Sequence, residues 1–106
     1  MKEQRIKQLE KYLENDPQDT FSKYALAMEL REDNPERAGQ LYDDLLLNHP
    51  EYTGTYYHAA SFFSELGERE KAESIYLKGI EIISHTNEAN ALRELKNAYQ
   101  NFQFED

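Results

Sequence analysis

The chain has 106 residues, which is enough for one domain with a single thin hydrophobic core. It contains no cysteine, so a disulfide framework, a thiolate nucleophile and a thiolate-bound metal are excluded. Its 21 Asp and Glu residues outnumber its 12 Lys and Arg residues, and the net charge of −9 repels nucleic-acid phosphates and anionic lipid headgroups. We therefore expect neither a nucleic acid nor a membrane as partner.

The first predicted helix covers residues 3–14 and is highly charged. Its narrow apolar stripe consists of Ile6, Leu9 and Leu13, with Tyr12 beside them. The segment has no apolar run, so it predicts neither a secretory signal nor a membrane span. Together with the absence of cysteine, this makes the cytoplasm the expected location.

Two further helices are predicted before residue 50. The first carries an apolar stripe at helical spacing: Leu26, Ala27 and Leu30. Asn34 and Pro35 are typical of the start of the second, because Asn caps free backbone N–H groups and Pro lacks an N–H that the first turn does not use. Pro50 ends this helix, since it pushes His49 out of the helical conformation.

A second pair of helices follows. The first of them has its apolar residues at Tyr56, Ala59, Ala60, Phe63 and Leu66, with Phe62 widening the stripe. Gly67 stands where a helix ends in a left-handed residue, a conformation that glycine adopts without steric cost. The second of them carries Ala72, Ile75, Tyr76, Gly79, Ile80 and Ile83.

The last predicted helix covers residues 87–102. Its apolar stripe is wider than that of the first helix, and its other faces are polar. The stripe consists of Ala91, Leu92, Leu95, Ala98, Tyr99 and Phe102. A helix with one apolar and one polar face is suited to cap the end of a helical stack.

The two helix pairs are copies of one unit. Ala38 and Ala72 are 34 residues apart, and Tyr42 and Tyr76 keep the same separation. The upstream helices match at a separation of 33, so one residue has been lost in the turn between the helices. A loss in a turn is tolerated, whereas inside a helix it would rotate the apolar face by about 100°.

This helix–turn–helix period resembles the tetratricopeptide repeat. The second unit matches the pattern of that family with Tyr56, Ala59, Ala60, Phe63, Gly67, Ala72, Tyr76 and Gly79. The first unit matches it with Lys23, Leu26, Ala27, Leu30, Ala38, Tyr42, Leu45 and Pro50. Lys23 replaces a large apolar residue, Leu45 a small one and Ser84 a proline. We expect slightly looser packing at Lys23 and Leu45.

The resemblance implies an all-α fold, a right-handed α-α superhelix or solenoid of about six antiparallel helices with one concave face. Since a two-helix unit cannot bury its stripe alone, neighbouring units must stack. We predict a single domain over residues 1–106. Its parts are an N-terminal half-repeat helix at 1–15, repeat 1 at 16–50, repeat 2 at 51–84 and a C-terminal capping helix at 85–106.

No residue pattern indicates catalysis, a cofactor or a metal. His49 and His85 fall in turns, and His58 has no His or Asp three or four residues away, so solvated or partly packed imidazoles are expected. Asp43 and Asp44 are adjacent and point in different directions on a helix. The four glycines stand singly, which excludes a glycine-rich phosphate loop. We predict that the protein is not an enzyme.

One stripe on the first helix of repeat 1 is not needed for its core. It consists of Phe21, Tyr24, Met28 and Arg31. The resemblance implies that residues so placed line the concave face, where repeat 2 places Gly54, Tyr57, Ser61, Ser64 and Glu65. We predict a groove lined by Phe21, Tyr24, Met28, Arg31, Tyr57, Ser61 and Ser64. The alternative is that the N-terminal helix covers these aromatic residues.

These residues predict a scaffold or adaptor that binds a peptide or helix of another protein. Relatives that clamp acidic chaperone tails use Lys, Asn and Arg in the groove, where this chain has Tyr24, Met28 and His58. With a net charge of −9, an apolar, aromatic or basic partner segment is favoured. A monomer is expected. The alternative is a self-associating structural unit that assembles through its end helices, for which Phe104 near the C-terminus is available.

Overall fold

The computed structural model describes residues 2–105, and these form six α-helices with no strand among them. The helices are α1 (Lys2–Asn15), α2 (Thr20–Leu30), α3 (Pro35–Asn48), α4 (Gly54–Glu65), α5 (Arg69–Ser84) and α6 (Ala89–Gln103). The all-α prediction and the predicted helix order are confirmed. None of these helices is long and apolar enough to cross a membrane.

The helices begin and end where short-range chemistry predicts. The Asn34 side-chain oxygen accepts a hydrogen bond from the backbone N–H of Arg37 at 3.2 Å, and Pro35 occupies the first turn of α3. His49 leaves the helical conformation before Pro50, with φ −135° and ψ 55°. Gly67 follows α4 in the left-handed conformation, with φ +82°. Each of these predictions is confirmed.

The chain divides into two compact units, one up to Thr55 and one from Tyr56 onward. In the first unit α2 packs on α3, and α1 packs on α2. Its buried apolar residues are Leu9, Ala25, Leu26, Ala27, Leu30, Ala38, Leu41, Tyr42 and Leu45. Among the described residues of α1, only Leu9 is buried. Ion pairs also hold α1 against the rest of the first unit. Arg37 binds the carboxylate of Glu10 at both oxygens, at 2.9 and 3.1 Å.

In the second unit α5 packs on α6, and α4 contributes the remaining core. The buried residues are Tyr56, Ala59, Ala60, Phe62, Phe63, Ala72, Ile75, Tyr76, Gly79, Ile83, Leu95 and Phe102. The Tyr76 ring lies 5.6 Å from the Tyr99 ring and 5.2 Å from the Phe102 ring, centroid to centroid. These aromatic contacts fasten α6 to α5.

One expectation about the core is corrected by the structure. Leu66 is half exposed rather than part of the core stripe, because α4 ends at Glu65 and Leu66 lies in the following turn. Leu45 is completely buried and Lys23 is only 4% exposed, so both positions that depart from the family pattern lie inside the first unit. Leu45 stands where the family pattern has a small residue. At Lys23, the ion pair with Asp44 replaces the apolar contact that the family pattern has there.

Candidate partner-binding faces of helices α2 and α4

The first candidate surface, here called the α2 face, consists of Phe21, Tyr24, Met28 and Arg31 in the first unit. Phe21 is 55% exposed and Met28 is 41% exposed, while Tyr24 and Arg31 are half-buried. The core stripe of α2 points elsewhere and is buried against α3. The N-terminal helix therefore does not cover Phe21 and Met28, and large apolar side chains stay accessible on this face.

Tyr24 of the α2 face lies between two other aromatic rings. Its ring centroid lies 6.5 Å from that of Phe21 and 5.5 Å from that of Tyr52, the latter in an edge-to-face arrangement at 61°. A Cβ atom built on Gly54 would lie 3.8 Å from the same ring, so a side chain at this position would make ordinary van der Waals contact with Tyr24. Burial raises the pKa of the Tyr24 phenol, and Tyr52 raises it further. The phenol thus stays neutral at physiological pH.

Tyr52, which supports Tyr24, was not predicted as a site residue. It lies in the turn between α3 and α4, where its backbone N–H donates to the His49 carbonyl at 3.0 Å and its carbonyl accepts from Thr55 at 3.2 Å. Helical periodicity cannot identify a turn residue, because no repeated spacing includes it. The sequence signal that could have identified Tyr52 is its position in the turn after Pro50, two residues before Gly54.

Next to the α2 face lies a buried lysine. The Lys23 side chain is only 5% exposed, and its Nζ lies 2.9 Å from Asp44 Oδ2. The same Nζ lies 3.2 Å from His49 Nε2 and 3.4 Å from Gln18 Oε1. Thr20 Oγ1 lies 3.3 Å from the other ring nitrogen of His49. We call Lys23, Asp44, His49, Gln18 and Thr20 the Lys23 network.

The charge of Asp44 within the Lys23 network is stabilised. Burial alone opposes ionisation of this carboxyl, but the hydrogen bonds from Lys23 and Asn48 outweigh it and lower the pKa. The interaction joins α2 to α3 within repeat 1. In repeat 2 the positions equivalent to Lys23 and Asp44 hold Tyr56 and Lys78. This paired difference between the repeats is the sequence signal that could have located the network.

The second candidate surface, here called the α4 face, consists of Tyr57, Ser61 and Ser64 in the second unit. Tyr57 is 47% exposed, and its ring meets the His58 ring edge-on at a centroid distance of 5.3 Å. Ser61 and Ser64 are half-buried. Residues 54–65 contain no Lys or Arg, and their one charged residue is the exposed Glu65. This face therefore combines an aromatic side chain with two hydroxyl groups, and the negative charge of Glu65 follows it on the same helix.

The two faces present mainly apolar, aromatic and hydroxyl-bearing side chains. Within residues 2–105, no group of three His, Asp or Glu side chains is arranged to hold a metal ion. The side chains of the α2 face offer apolar and aromatic area, and the Lys23 network satisfies its own charges. Such surfaces can bury a complementary side chain and exclude water around it.

Comparison with known proteins identifies similar solved structures. A solution NMR structure of a tetratricopeptide repeat domain protein from Salinibacter ruber is 37% identical, with a TM-score of 0.77, covering 85% of this chain and 93% of that chain. A crystal structure of a tetratricopeptide repeat domain protein from the same organism is 36% identical, with a TM-score of 0.75, covering 81% of this chain and 98% of that chain. No protein-family model and no curated protein matches the chain.

Proposed function

Because the chain belongs to the tetratricopeptide repeat family, we propose that it is a non-enzymatic module that binds a peptide or a helix of a partner protein. The α2 face is the main contact surface, and the α4 face, with Tyr57, Ser61 and Ser64, is a second one. The observation that carries the proposal is the pairing of accessible Phe21 and Met28 with a fixed Tyr24. A cytoplasmic location belongs to the same proposal and rests on the cysteine-free sequence.

The residue types on the α2 face suit an interface. Aromatic side chains bring large contact area with few rotatable bonds, and they are over-represented among the few interface residues whose truncation costs about 2 kcal/mol of binding energy or more. Methionine is flexible and polarizable, so Met28 can adapt to partner side chains of different shape. Tyr24 is already held between Phe21 and Tyr52, and little of its conformational freedom remains to be lost on binding.

Charge determines which partner segment fits. The chain carries a net charge of −9, and α4 contributes no cation. On α2, the Lys23 ammonium is paired with Asp44 and is not presented to solvent. Arg31 is the cation of the α2 face itself, and it is half-buried. An acidic segment would therefore meet like charges with few cations to pair with, whereas Lys and Arg on a partner are attracted. We propose a partner segment of apolar and aromatic residues flanked by basic ones.

The test is selection from a peptide library followed by chemical-shift mapping on the labelled protein. We expect selected peptides to be rich in apolar, aromatic and basic residues and to perturb Phe21, Tyr24, Met28 and Tyr57. The double variant Phe21→Ser/Met28→Ser should weaken binding by about tenfold or more, because a combined loss of about 1.4 kcal/mol of binding energy corresponds to a factor of ten.

The matched control is Leu47→Ser on α3, which removes a leucine that is 78% exposed and outside both faces. It should leave the affinity unchanged. Selection of acidic peptides, or perturbations confined to residues 87–102, would show that the α2 face is not the binding surface. An equal loss of affinity in the control would show that replacing any exposed apolar side chain by serine weakens binding.

Self-association remains the second candidate, because Phe104 is 80% exposed at the C-terminal end of α6. An aromatic ring so accessible at the end of a helix can pack against another copy of the chain. Sedimentation at two concentrations decides the matter. A monomer mass at both concentrations removes this candidate, whereas a mass that rises with concentration and falls again in Phe104→Ser supports it.

A further inference from the structure

We propose that the rings of Phe21, Tyr24 and Tyr52 form a binding site for a cation, and that its ligand is the guanidinium of an arginine side chain on the partner. We call these three residues the aromatic cluster. The site deepens the proposed function and rests on it, because a partner segment must supply the arginine. A small arginine compound can occupy the site without a partner, so failure of the site is distinguishable from failure of peptide binding.

Tyr24 is the central ring of the aromatic cluster. Its centroid lies 5.5 Å from that of Tyr52 with the planes at 61°, and 6.5 Å from that of Phe21 with the planes at 45°. The face of an aromatic ring attracts a cation that lies within about 6 Å of its centroid. With these separations, one cation can lie within that distance of two centroids at once. Phe21 is exposed and Tyr52 is half-buried, so a partner can reach both rings.

Gly54 leaves room for a ligand beside the Tyr24 ring. Gly67 is the described glycine with a left-handed backbone, so the backbone conformation does not require glycine at position 54. Packing does not require it either, because a Cβ there would lie at an ordinary 3.8 Å from Cε1, Cζ and Oη of Tyr24. A longer side chain would cover this end of the ring. Since Gly54 is exposed, a group from a partner can take that place.

The second unit shows how this chain pairs aromatic rings with cations. The Arg69 guanidinium carbon lies 4.1 Å from the centroid of the Phe102 ring, and the Lys71 ammonium lies 3.9 Å from that of Phe63. Within residues 2–105, no Lys or Arg lies in this way over the ring of Phe21 or Tyr52. The cation for these two rings must therefore come from another molecule.

The charges around the aromatic cluster favour a cationic ligand. Glu51, directly before Tyr52 in the chain, is an exposed carboxylate. The Lys23 ammonium is paired with Asp44 at 2.9 Å, so this buried lysine adds no net charge. Arg31, the cation of the α2 face, stands at the C-terminal end of α2. The net charge of −9 adds a long-range attraction for cations.

The guanidinium of arginine suits this site better than the ammonium of lysine. It is planar, so it can stack on the face of a tyrosine or phenylalanine ring. It is also more weakly hydrated than an ammonium, so it loses less when it leaves water for a half-buried site. Tyr24 and Tyr52 are both half-buried. The aromatic cluster is therefore assigned to arginine.

The experiment compares three small probes by NMR on protein with labelled phenylalanine and tyrosine. The first probe is N-acetyl-argininamide, which should shift the ring signals of Phe21, Tyr24 and Tyr52. The second is N-acetyl-citrullinamide, which has nearly the same shape but no side-chain charge. It should bind about two- to fivefold more weakly, because the attraction between cation and ring is lost. The third, N-acetyl-lysinamide, should also bind more weakly than the arginine compound.

Two variants test the assigned residues. Tyr52→Leu keeps an apolar side chain but removes the ring, so it should weaken binding of the arginine compound by about two- to fivefold. Gly54→Leu should weaken it as well, because the new side chain covers the end of the Tyr24 ring. The matched control is Tyr12→Leu, which removes a half-exposed ring on α1, outside both faces. It should leave the affinity unchanged.

The outcomes separate the site from the proposed function. Equal affinity for the arginine and citrulline compounds overturns the cation site, and equal affinity for the lysine compound overturns the assignment to arginine. Both comparisons use the unmodified chain, so they decide the question even if Tyr52→Leu does not fold. If selected peptides bind the α2 face while the arginine compound shifts none of the three rings, the site fails and the proposed function stands. If the arginine compound binds there and no peptide does, the proposed function fails.

Discussion

Gly79 and Tyr56 approach each other so closely that no side chain fits between them. A Cβ atom built on Gly79 would lie 2.6 Å from the Cβ of Tyr56, and 2.8 Å from a methyl carbon of Leu95. Gly79 thus sets the distance between α5 and its neighbours α4 and α6 in the second unit. A glycine inside a helix is normally unfavourable, and this approach is the reason for its place here.

Gly79→Ala should lower the free energy of unfolding by about 1–3 kcal/mol. Alanine gains about 1 kcal/mol of helix propensity, but the obstructing atom is a Cβ next to the backbone of α4, which cannot swing aside. Urea unfolding measures the difference. Gly54→Ala is the control, because its new Cβ would meet the Tyr24 ring at an ordinary 3.8 Å. Equal stability of Gly79→Ala and the unmodified protein would contradict the close approach.

Asp44→Asn should destabilise the protein by about 1–3 kcal/mol, because it leaves the buried Lys23 ammonium without its negative partner. The amide keeps the shape of the carboxylate but has one acceptor oxygen instead of two, so the change removes the charge together with one of the hydrogen bonds from Lys23 and Asn48. Glu29→Gln is the control, since it breaks the more exposed pair with Arg5 and should cost about 0–1 kcal/mol. Chemical denaturation of both variants at neutral pH gives the comparison. Similar losses in the two would mean that Lys23 does not depend on Asp44.

Acid should lower the stability of the first unit by protonating the Asp44 carboxylate. The pKa of Asp44 is lowered in the folded protein from its ordinary value of 3.8, so the unfolded chain takes up the proton first. The stabilisation is therefore complete above that value, and it is lost as the pH falls through the lowered pKa. Unfolding followed at decreasing pH should show a smaller acid-induced loss in Asp44→Asn. An identical pH profile for the two proteins would speak against the ion pair.

Alkaline pH should lower the free energy of unfolding by ionising the Tyr42 phenol. Burial raises the pKa of its phenol to about 12, with Arg31 opposing this and Tyr24 adding to it. The unfolded chain releases this proton at lower pH than the folded chain, so the free energy of unfolding should fall between about pH 10 and about pH 12. Tyr42→Phe should show a smaller fall over this range. Spectrophotometric titration of the tyrosines checks the late ionisation directly, and a Tyr42 that titrates with the exposed tyrosines would contradict it.

The features that sequence alone determined are short-range. Asn34 caps α3, Pro50 stops it and Gly67 turns left-handed after α4, because each effect involves a residue and its immediate neighbours. The repeat also follows from sequence, since Ala38 and Ala72 occupy equivalent places in two copies of one pattern. Periodicity of this kind reports which side of a helix is apolar before any packing is known.

Tertiary structure alone decided what depends on residues far apart in the chain. Lys23 looked like a flaw in an apolar pattern, and only the packing of α2 on α3 shows that Asp44 neutralises it. Tyr52 belongs to no helix, and its support of Tyr24 appears only when the turn is placed against α2. Exposure has the same origin, because whether Phe21 and Met28 are accessible depends on what packs over them. A local sequence pattern predicts which helix face a side chain lies on, whereas its contacts and exposure are determined by residues that are distant in the chain.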